Sequence, residues 1–295
     1  METLAYFNGT IGELDEVMVP FNDRTHFFGD GVYDATCGGN HIPFALEDHI
    51  DRFFNSARLI DIKLEMTKDE MNKLLRELTK KVDSPQTQVY WQVSRGTSNR
   101  NHAYPVGVKS NFWVMIRPFP LVDLSKRETA VTVEDTRFYH CNIKTLNLLP
   151  NVLAAEKAKQ AGCEEAIFHR GPRVTECAHS NVHILKDGVF RTAPLDNLIL
   201  PGIARKHLCK LCDGIGVPVR EEAFTVDEMM AADEVVVSSA STFGVGLKAI
   251  DGIPVGGKAP ELLKRIQDAA MVEFYEYTEQ QAKADAIKKG EKVTA

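Results

Sequence analysis

Asp135-Thr-Arg137-Phe-Tyr-His140-Cys141-Asn-Ile-Lys144-Thr-Leu-Asn147-Leu-Leu-Pro150 is the stretch on which the reading of this chain turns. It holds one lysine inside an apolar run, downstream of an arginine. Lys144 is flanked by Ile143 and Leu146, a poor setting for a solvated ammonium. Burial disfavours the charged form and leaves an amine able to act as a nucleophile. A half-buried lysine can also carry its charge to water along its four-carbon stem, so the residue alone leaves both readings open. Further on comes Arg173-Val174-Thr175-Glu176-Cys-Ala-His179-Ser180-Asn181, with a carboxylate near its centre.

The rest of the chain narrows the choice. It has 295 residues, enough for two domains or one large one. Hydrophobic residues make up 44% and charged residues 26%, an ordinary globular balance. Lys plus Arg total 35 against 41 Asp plus Glu, giving a net charge of -6. That argues against nucleic acid as a partner, which would need a clustered basic face. No stretch approaches the roughly 20 apolar residues of a membrane span. The N-terminus lacks the charged start and apolar core of a signal peptide, so a cytoplasmic location is expected. Six scattered cysteines read as free thiols. Cys209-x-x-Cys212 lacks a second Cys or His pair at metal-binding spacing and is expected on a helix over residues 203–212.

Turn-bounded runs predict strands at residues 4–7, 14–19, 31–37 and 41–44. Residues 46–60 read as a helix with Ile50, Phe53, Phe54, Ala57 and Ile60 on its apolar side. Thr67-Lys-Asp-Glu70 is a capping box opening a helix with Met71, Leu74, Leu75, Leu78 and Val82 at helical spacing. Strands follow at 87–93 and 111–116. Arg117-Pro118-Phe119-Pro120 marks a domain boundary, because two such prolines fit neither a helix nor a central strand. The expected division is a small N-terminal α/β domain over 1–117, a linker over 118–122, and a larger β-rich domain over 123–295 carrying Lys144. In the latter, strands are expected near 129–133, 165–169, 183–185, 190–192 and 234–239. Helices are expected near 150–161, from Gly202, and over 260–277. Asp187-Gly188 and Asp251-Gly252 mark hairpins. A polar tail begins near Glu279. The fold class is α+β or mixed α/β.

Several residues suggest an anionic, electron-accepting cofactor anchored to a lysine. Arg52 lies in His49-Ile-Asp-Arg52, where it is either an anion ligand or a surface partner of Glu47, Asp48 or Asp51. Leu200-Pro-Gly202-Ile203-Ala204 places a turn before a helix, whose first N–H groups and dipole suit a phosphate. Ser238-Ser239-Ala240-Ser241-Thr242 is either ordinary turn chemistry at a strand end or a second phosphate contact. Arg100 and His102 lie after Gly96-Thr-Ser-Asn, as a basic loop tip or as a carboxylate trap.

The combination resembles the fold-type IV pyridoxal-phosphate transaminases, and within them the bacterial D-amino acid transaminases. The likeness runs from about Tyr6 to about Val272. Its most specific stretches are Phe28-Gly-Asp-Gly-Val-Tyr33, His49-Ile-Asp-Arg52, Gln92-Val-Ser-Arg95-Gly-Thr-Ser-Asn-Arg100-Asn-His102, Cys141-Asn-Ile-Lys144-Thr-Leu-Asn-Leu-Leu and Val174-Thr-Glu176. The resemblance implies pyridoxal 5'-phosphate as cofactor and Lys144 as its Schiff-base lysine and proton shuttle. It implies Glu176 against the pyridine nitrogen, keeping the ring an electron sink, and Arg137 at the ring hydroxyl. Arg52, Ile203, Ala204, Ser239 and Ala240 would hold the phosphate. Tyr33, Tyr90 and His179 would line the substrate side, and Arg100 and His102 would trap the α-carboxylate from a neighbouring subunit. A homodimer with shared active sites follows, moving the amino group of a D-amino acid to 2-oxoglutarate or pyruvate.

The chain also departs from the family. Ala204 and Ala240 stand where the relatives carry threonine, which removes two hydroxyl donors worth about 0.5–1.5 kcal/mol each. His179 replaces a serine and adds a titratable group. Within the class, the alternatives are a branched-chain L-amino acid transaminase, an (R)-selective amine transaminase and an aminodeoxychorismate lyase. Outside it stand a cofactor-binding module without turnover and a lysine Schiff-base lyase without the cofactor.

Overall fold

β-branched and aromatic runs between turns build the first sheet. The computed structural model describes residues 1–293. The first strands are β1 (Leu4–Phe7), β2 (Thr10–Gly12), β3 (Gly31–Gly39), β4 (Ile42–Pro43), β5 (Thr87–Ser94) and β6 (Asn111–Pro118). They lie in the order β2-β1-β6-β5-β3-β4, and every pairing is antiparallel. With them go α1 (Arg24–Phe28), α2 (Leu46–Leu59) and α3 (Lys68–Thr79). The Thr67–Glu70 capping box is fully formed at the start of α3. Ile50, Phe53 and Ala57 of α2 and Met71, Leu75 and Leu78 of α3 share one core with Val89, Trp91 and Val93 of β5.

A boundary at Arg117–Pro120 assigns the lysine segment to the C-terminal domain. In the structure it belongs to the first unit, which comprises Met1–Leu121, Ile143–Asn147 and Tyr277–Gln280. The reason is a vacant sheet edge: β4 pairs with β3 only at Gly38 and Gly39. The lysine segment pairs beside the other end of β3. The Tyr33 N–H donates to Lys144 O at 3.0 Å, and the Leu146 N–H donates to Gly31 O at 3.1 Å. Gly31 permits this approach, since a Cβ there would sit 2.7 Å from Leu146 Cδ1 and 2.4 Å from Val93 O.

The second unit comprises Val122–Asn142, Leu148–Glu276 and the chain from Gln281. Its strands are β7 (Glu128–Glu134), β8 (Glu165–Arg170), β9 (Arg173–Cys177), β10 (Asn181–Lys186), β11 (Val189–Thr192), β12 (Val219–Glu221), β13 (Glu234–Ser238), β14 (Val245–Ile250) and β15 (Ile253–Pro254). They form a mixed sheet in the order β12-β11-β10-β13-β14-β7-β8-β9, with β15 beside β14. Its helices are α4 (Leu149–Gln160), α5 (Ile203–Gly214), α6 (Val226–Met230), α7 (Pro260–Tyr277) and α8 (Gln281–Lys288). Asp187 and Gly188, and likewise Asp251 and Gly252, take the positive φ angles that their tight hairpins require. Val235, Val237, Val182 and Ile184 of the central strands fill the core with Phe224 and Met229.

One further expectation fails. Residues 14–19 are not a strand: the Glu16 N–H closes a turn on Glu13 O, and the run ends at Pro20, which has no N–H to donate. The strand at that place is β2, just upstream. The polar tail holds α8, where alanines favour helix and Ala284 is fully buried. The short elements α1, α6, β9 and β12 are too brief for periodicity to reveal. No helix among the described residues is long and apolar enough to cross a membrane.

His183 of β10 gives the fold a pH dependence. It is fully buried, with Nδ1 2.9 Å from Thr192 Oγ1 and Nε2 2.8 Å from Ser238 Oγ. Burial, with Arg205 adding its charge, pushes its pKa down from 6.5 to about 3. The folded state therefore excludes the charged ring that the unfolded chain accepts. Stability from this site is complete above pH 6.5 and is lost as pH falls toward 3. The loss is about 2 kcal/mol by pH 5. Urea unfolding at pH 7 and pH 5 should show that the His183→Gln variant loses less stability than the parent by about this amount. Equal losses would contradict the assignment.

Candidate active site

In the first unit, strand pairing carries Lys144 to one face of β3. Its Nζ lies 4.3 Å from the centroid of the Tyr33 ring. Tyr33 opposes Gln92, and its diagonal neighbour on β5 is Tyr90. The two tyrosine rings stack with centroids 5.4 Å apart. The Tyr90 hydroxyl donates to Gln92 Oε1 at 2.5 Å. Burial, with Tyr33 beside it, raises the Tyr90 phenol above its ordinary pKa, so it remains a protonated donor at neutral pH.

The Arg52 fork is gripped by a strand residue. Its Nε donates to Asp34 Oδ2 at 2.9 Å and its Nη2 to Asp34 Oδ1 at 2.7 Å. His49, one helical turn before it, donates from Nδ1 to the same Oδ1 at 2.8 Å. Asp34 is fully buried in β3. Burial alone would raise its pKa, but Arg52 and His49 overcome this and hold it well below the usual carboxylate range. Burial lowers the pKa of His49 against the pull of Asp34. On the same helix, Glu47 pairs with Arg76 and Asp51 with Lys68.

Arg100 and His102 sit on an exposed loop between β5 and β6. Both lie against Phe28, with the Arg100 guanidinium carbon 5.2 Å and the His102 ring 5.0 Å from its centroid. The loop backbone between them is anchored. Buried Arg24 bonds Asp30 through Nε at 2.7 Å and donates from Nη1 to Asn101 O at 2.6 Å.

In the second unit, Glu176 lies in a run of buried residues in β9. Arg137 donates from Nη1 to Glu176 Oε1. Glu176 Oε2 accepts from Asn181 Nδ2 at 3.0 Å and from the Leu200 N–H at 2.9 Å. Arg137 is gripped by Asp135 through Nε and Nη2, each at 2.9 Å, and its guanidinium lies 4.5 Å from the Phe168 ring centroid. Burial opposes the charge of Asp135 and Arg137 alike. The bonds from Arg137 nonetheless hold Asp135 below its ordinary pKa, and the two carboxylates raise that of Arg137. The result is a buried Glu176 carboxylate held by a guanidinium, a side-chain amide and a backbone N–H.

Gly202 caps α5 without a side chain, so the N–H groups of Ile203 and Ala204 open the helix with no capping side chain bonded to them. After β13, Ser239 Oγ accepts from the N–H groups of Ser241 and Thr242 at 3.2 and 3.3 Å and lies 3.0 Å from Thr242 Oγ1. Ser239 and Ala240 thus stand in a tight hydroxyl-rich turn. His179 turns its Nδ1 toward Glu165, 3.3 Å away.

Residues 31–250 match the class IV amino-transferase family. The chain belongs to the class IV aminotransferases. It is 39% identical over 270 residues to a D-alanine aminotransferase of Staphylococcus haemolyticus, covering 90% of this chain and 96% of that one. It is 40% identical over 253 residues to a D-alanine aminotransferase of Listeria monocytogenes, covering 84% and 88%. A solved branched-chain aminotransferase from Thermoproteus uzoniensis superposes with a TM-score of 0.85 at 21% identity, covering 95% of this chain and 97% of that one. At that identity the likeness establishes the aminotransferase fold.

The structure therefore gathers Lys144, Tyr33 and Tyr90 in the first unit and Arg137 and Glu176 in the second. The sequence reading missed Asp34, His49, Asp135 and Asn181. Two of these carried a readable pattern. Asp34 directly follows Tyr33, and His49 and Arg52 share a helix face at i, i+3.

Proposed function

We propose that this class IV aminotransferase is a cytoplasmic, homodimeric pyridoxal 5'-phosphate enzyme that moves the amino group of a D-amino acid, D-alanine in type, to 2-oxoglutarate or pyruvate. The observation that carries the reading is Lys144, held by its own backbone on the edge of β3 with its amine over Tyr33, in a chain 39% identical to a D-alanine aminotransferase.

The residues fit the cofactor. An uncapped helix start and a serine-threonine turn suit a phosphate, and a buried carboxylate held by an arginine suits a protonated ring nitrogen. When bound, the cofactor supplies the electron sink for breaking the bond between substrate Cα and its hydrogen. Lys144 would hold the cofactor through its amine and, once the substrate amine has displaced it, would move the proton that leaves Cα. Glu176, fixed by Arg137, Asn181 and Leu200, would accept the hydrogen bond of a ring nitrogen without reorganising. Arg137 would serve the ring hydroxyl. Arg52 and, in the second unit, Ile203, Ala204, Ser239 and Ala240 would be the phosphate ligands, with Asp34 and His49 setting the angle of the Arg52 guanidinium. Tyr33 and Tyr90 line the substrate side, and His179 stands at its margin.

Arg100 and His102 bind the α-carboxylate of the substrate held by the other subunit. In support, both are exposed on a loop whose backbone is anchored between them. Exposed apolar residues favour a second copy as partner. Met18 is 79% and Phe21 86% exposed in the first unit, and Leu149 and Leu153 are 69% and 64% exposed on α4 in the second.

Initial rates with D-alanine, L-leucine and an amine lacking a carboxylate test the reading. D-Alanine should be the substrate. Arg100→Ala should raise its KM by about 10–100-fold, the loss of a charge-assisted hydrogen bond. L-Leucine turnover matching that of D-alanine would overturn the D-amino acid reading.

A further inference from the structure

Asn181 opens β10, and its side chain meets three separate elements. It is buried. Its Nδ2 donates to Glu176 Oε2 at 3.0 Å and to Leu200 O at 3.1 Å. The Leu200 N–H returns to the same carboxylate oxygen at 2.9 Å. Its Oδ1 occupies the place of a Gly202 side chain: a Cβ on Gly202 would lie 2.0 Å from it. The backbone of Gly202, at φ -62° and ψ 137°, is one that any residue adopts. Asn181, and not backbone strain, therefore accounts for glycine here. Along the sheet, Asn181 pairs in register with Ser238, the last residue of β13 before the Ser239 turn.

We propose that Asn181 is a positioning residue that fixes Glu176 relative to the start of α5, so that one rigid cofactor ring reaches its nitrogen contact and its phosphate contact together. The proposal rests on the roles given to Glu176 and α5 under the proposed function. An amide suits the task because it offers two N–H donors in one plane, and here both are spent on acceptors from different segments. An aspartate has the same shape and no N–H donor, and would set a second carboxylate against Glu176. Groups that must bind two ends of a rigid ligand gain from being held at the right separation beforehand.

The test uses the full chain stripped of cofactor and titrated with pyridoxal phosphate labelled with nitrogen-15 in the ring. Binding is read by fluorescence and ring protonation by the nitrogen-15 resonance. Asn181→Asp and Asn181→Ala should each weaken binding by about tenfold or more, the effect of losing one hydrogen bond to a charged group. Asn181→Ala should also move the resonance toward that of an unprotonated ring. Gly202→Ala, by displacing the Asn181 side chain, should do the same. The Asn181→Ala/Gly202→Ala double variant should be no worse than the worse single, because both changes act through one side chain. Unfolding midpoints of the cofactor-free chains identify any variant lost to misfolding, and the other variants then decide. Wild-type affinity in Asn181→Asp, wild-type resonance in Asn181→Ala, or losses that add in the double variant, would overturn the proposal. If the parent chain itself binds no pyridoxal phosphate, the cofactor reading beneath the proposal falls first.

Discussion

A Lys144→Ala chain is expected to transfer amino groups about 10⁴-fold more slowly than the parent, or worse. Positioned acid–base catalysis alone contributes up to that factor, and the substitution also removes the amine that bonds the cofactor. The fold should survive, because the β3 pairing uses the carbonyl of residue 144 and the N–H of Leu146, which alanine leaves in place. Initial rates with D-alanine and the mass of borohydride-reduced protein check this together. The parent should gain the mass of one reduced cofactor and the variant should not. Activity within tenfold of the parent would show that Lys144 is the snorkelling lysine that its sequence also allowed.

Asp34→Asn is expected to cost about 3–5 kcal/mol of folding stability, the usual result of removing one partner of a buried ion pair. Asp34 is fully buried and accepts from Arg52 twice and from His49 once. Asparagine keeps the shape and removes the charge, which leaves the Arg52 guanidinium without this carboxylate. Denaturant unfolding gives the loss directly. A change below about 1 kcal/mol, the level of an exposed pair, would mean that Arg52 draws its support from elsewhere.

Much of this molecule is legible in its sequence. The capping box at Thr67, the hairpins at Asp187-Gly188 and Asp251-Gly252, and the helix over 260–277 rest on local chemistry, and local chemistry is written in neighbouring residues. The lysine segment is harder. Its place on β3 depends on a vacant edge created by strands far away in sequence, and no periodicity in residues 143–147 records that edge. The same holds for the candidate site. The family resemblance picks out Lys144, Glu176, Arg52 and Arg137. The partners that orient them, Asp34, Asp135 and Asn181, lie close in sequence to residues already chosen, but their contacts are tertiary. Arg52 shows the difference most clearly, because charge counting offers it only helical neighbours and the fold brings it a buried aspartate on a strand.

The most direct measurement is the visible absorption spectrum of the purified chain with pyridoxal phosphate, titrated first with D-alanine and then, in a fresh sample, with L-alanine. A yellow band is expected that bleaches with the D-isomer and persists with the L-isomer. Bleaching by L-alanine alone would contradict the carboxylate roles of Arg100 and His102, and no yellow band at all would contradict the cofactor chemistry assigned to Lys144.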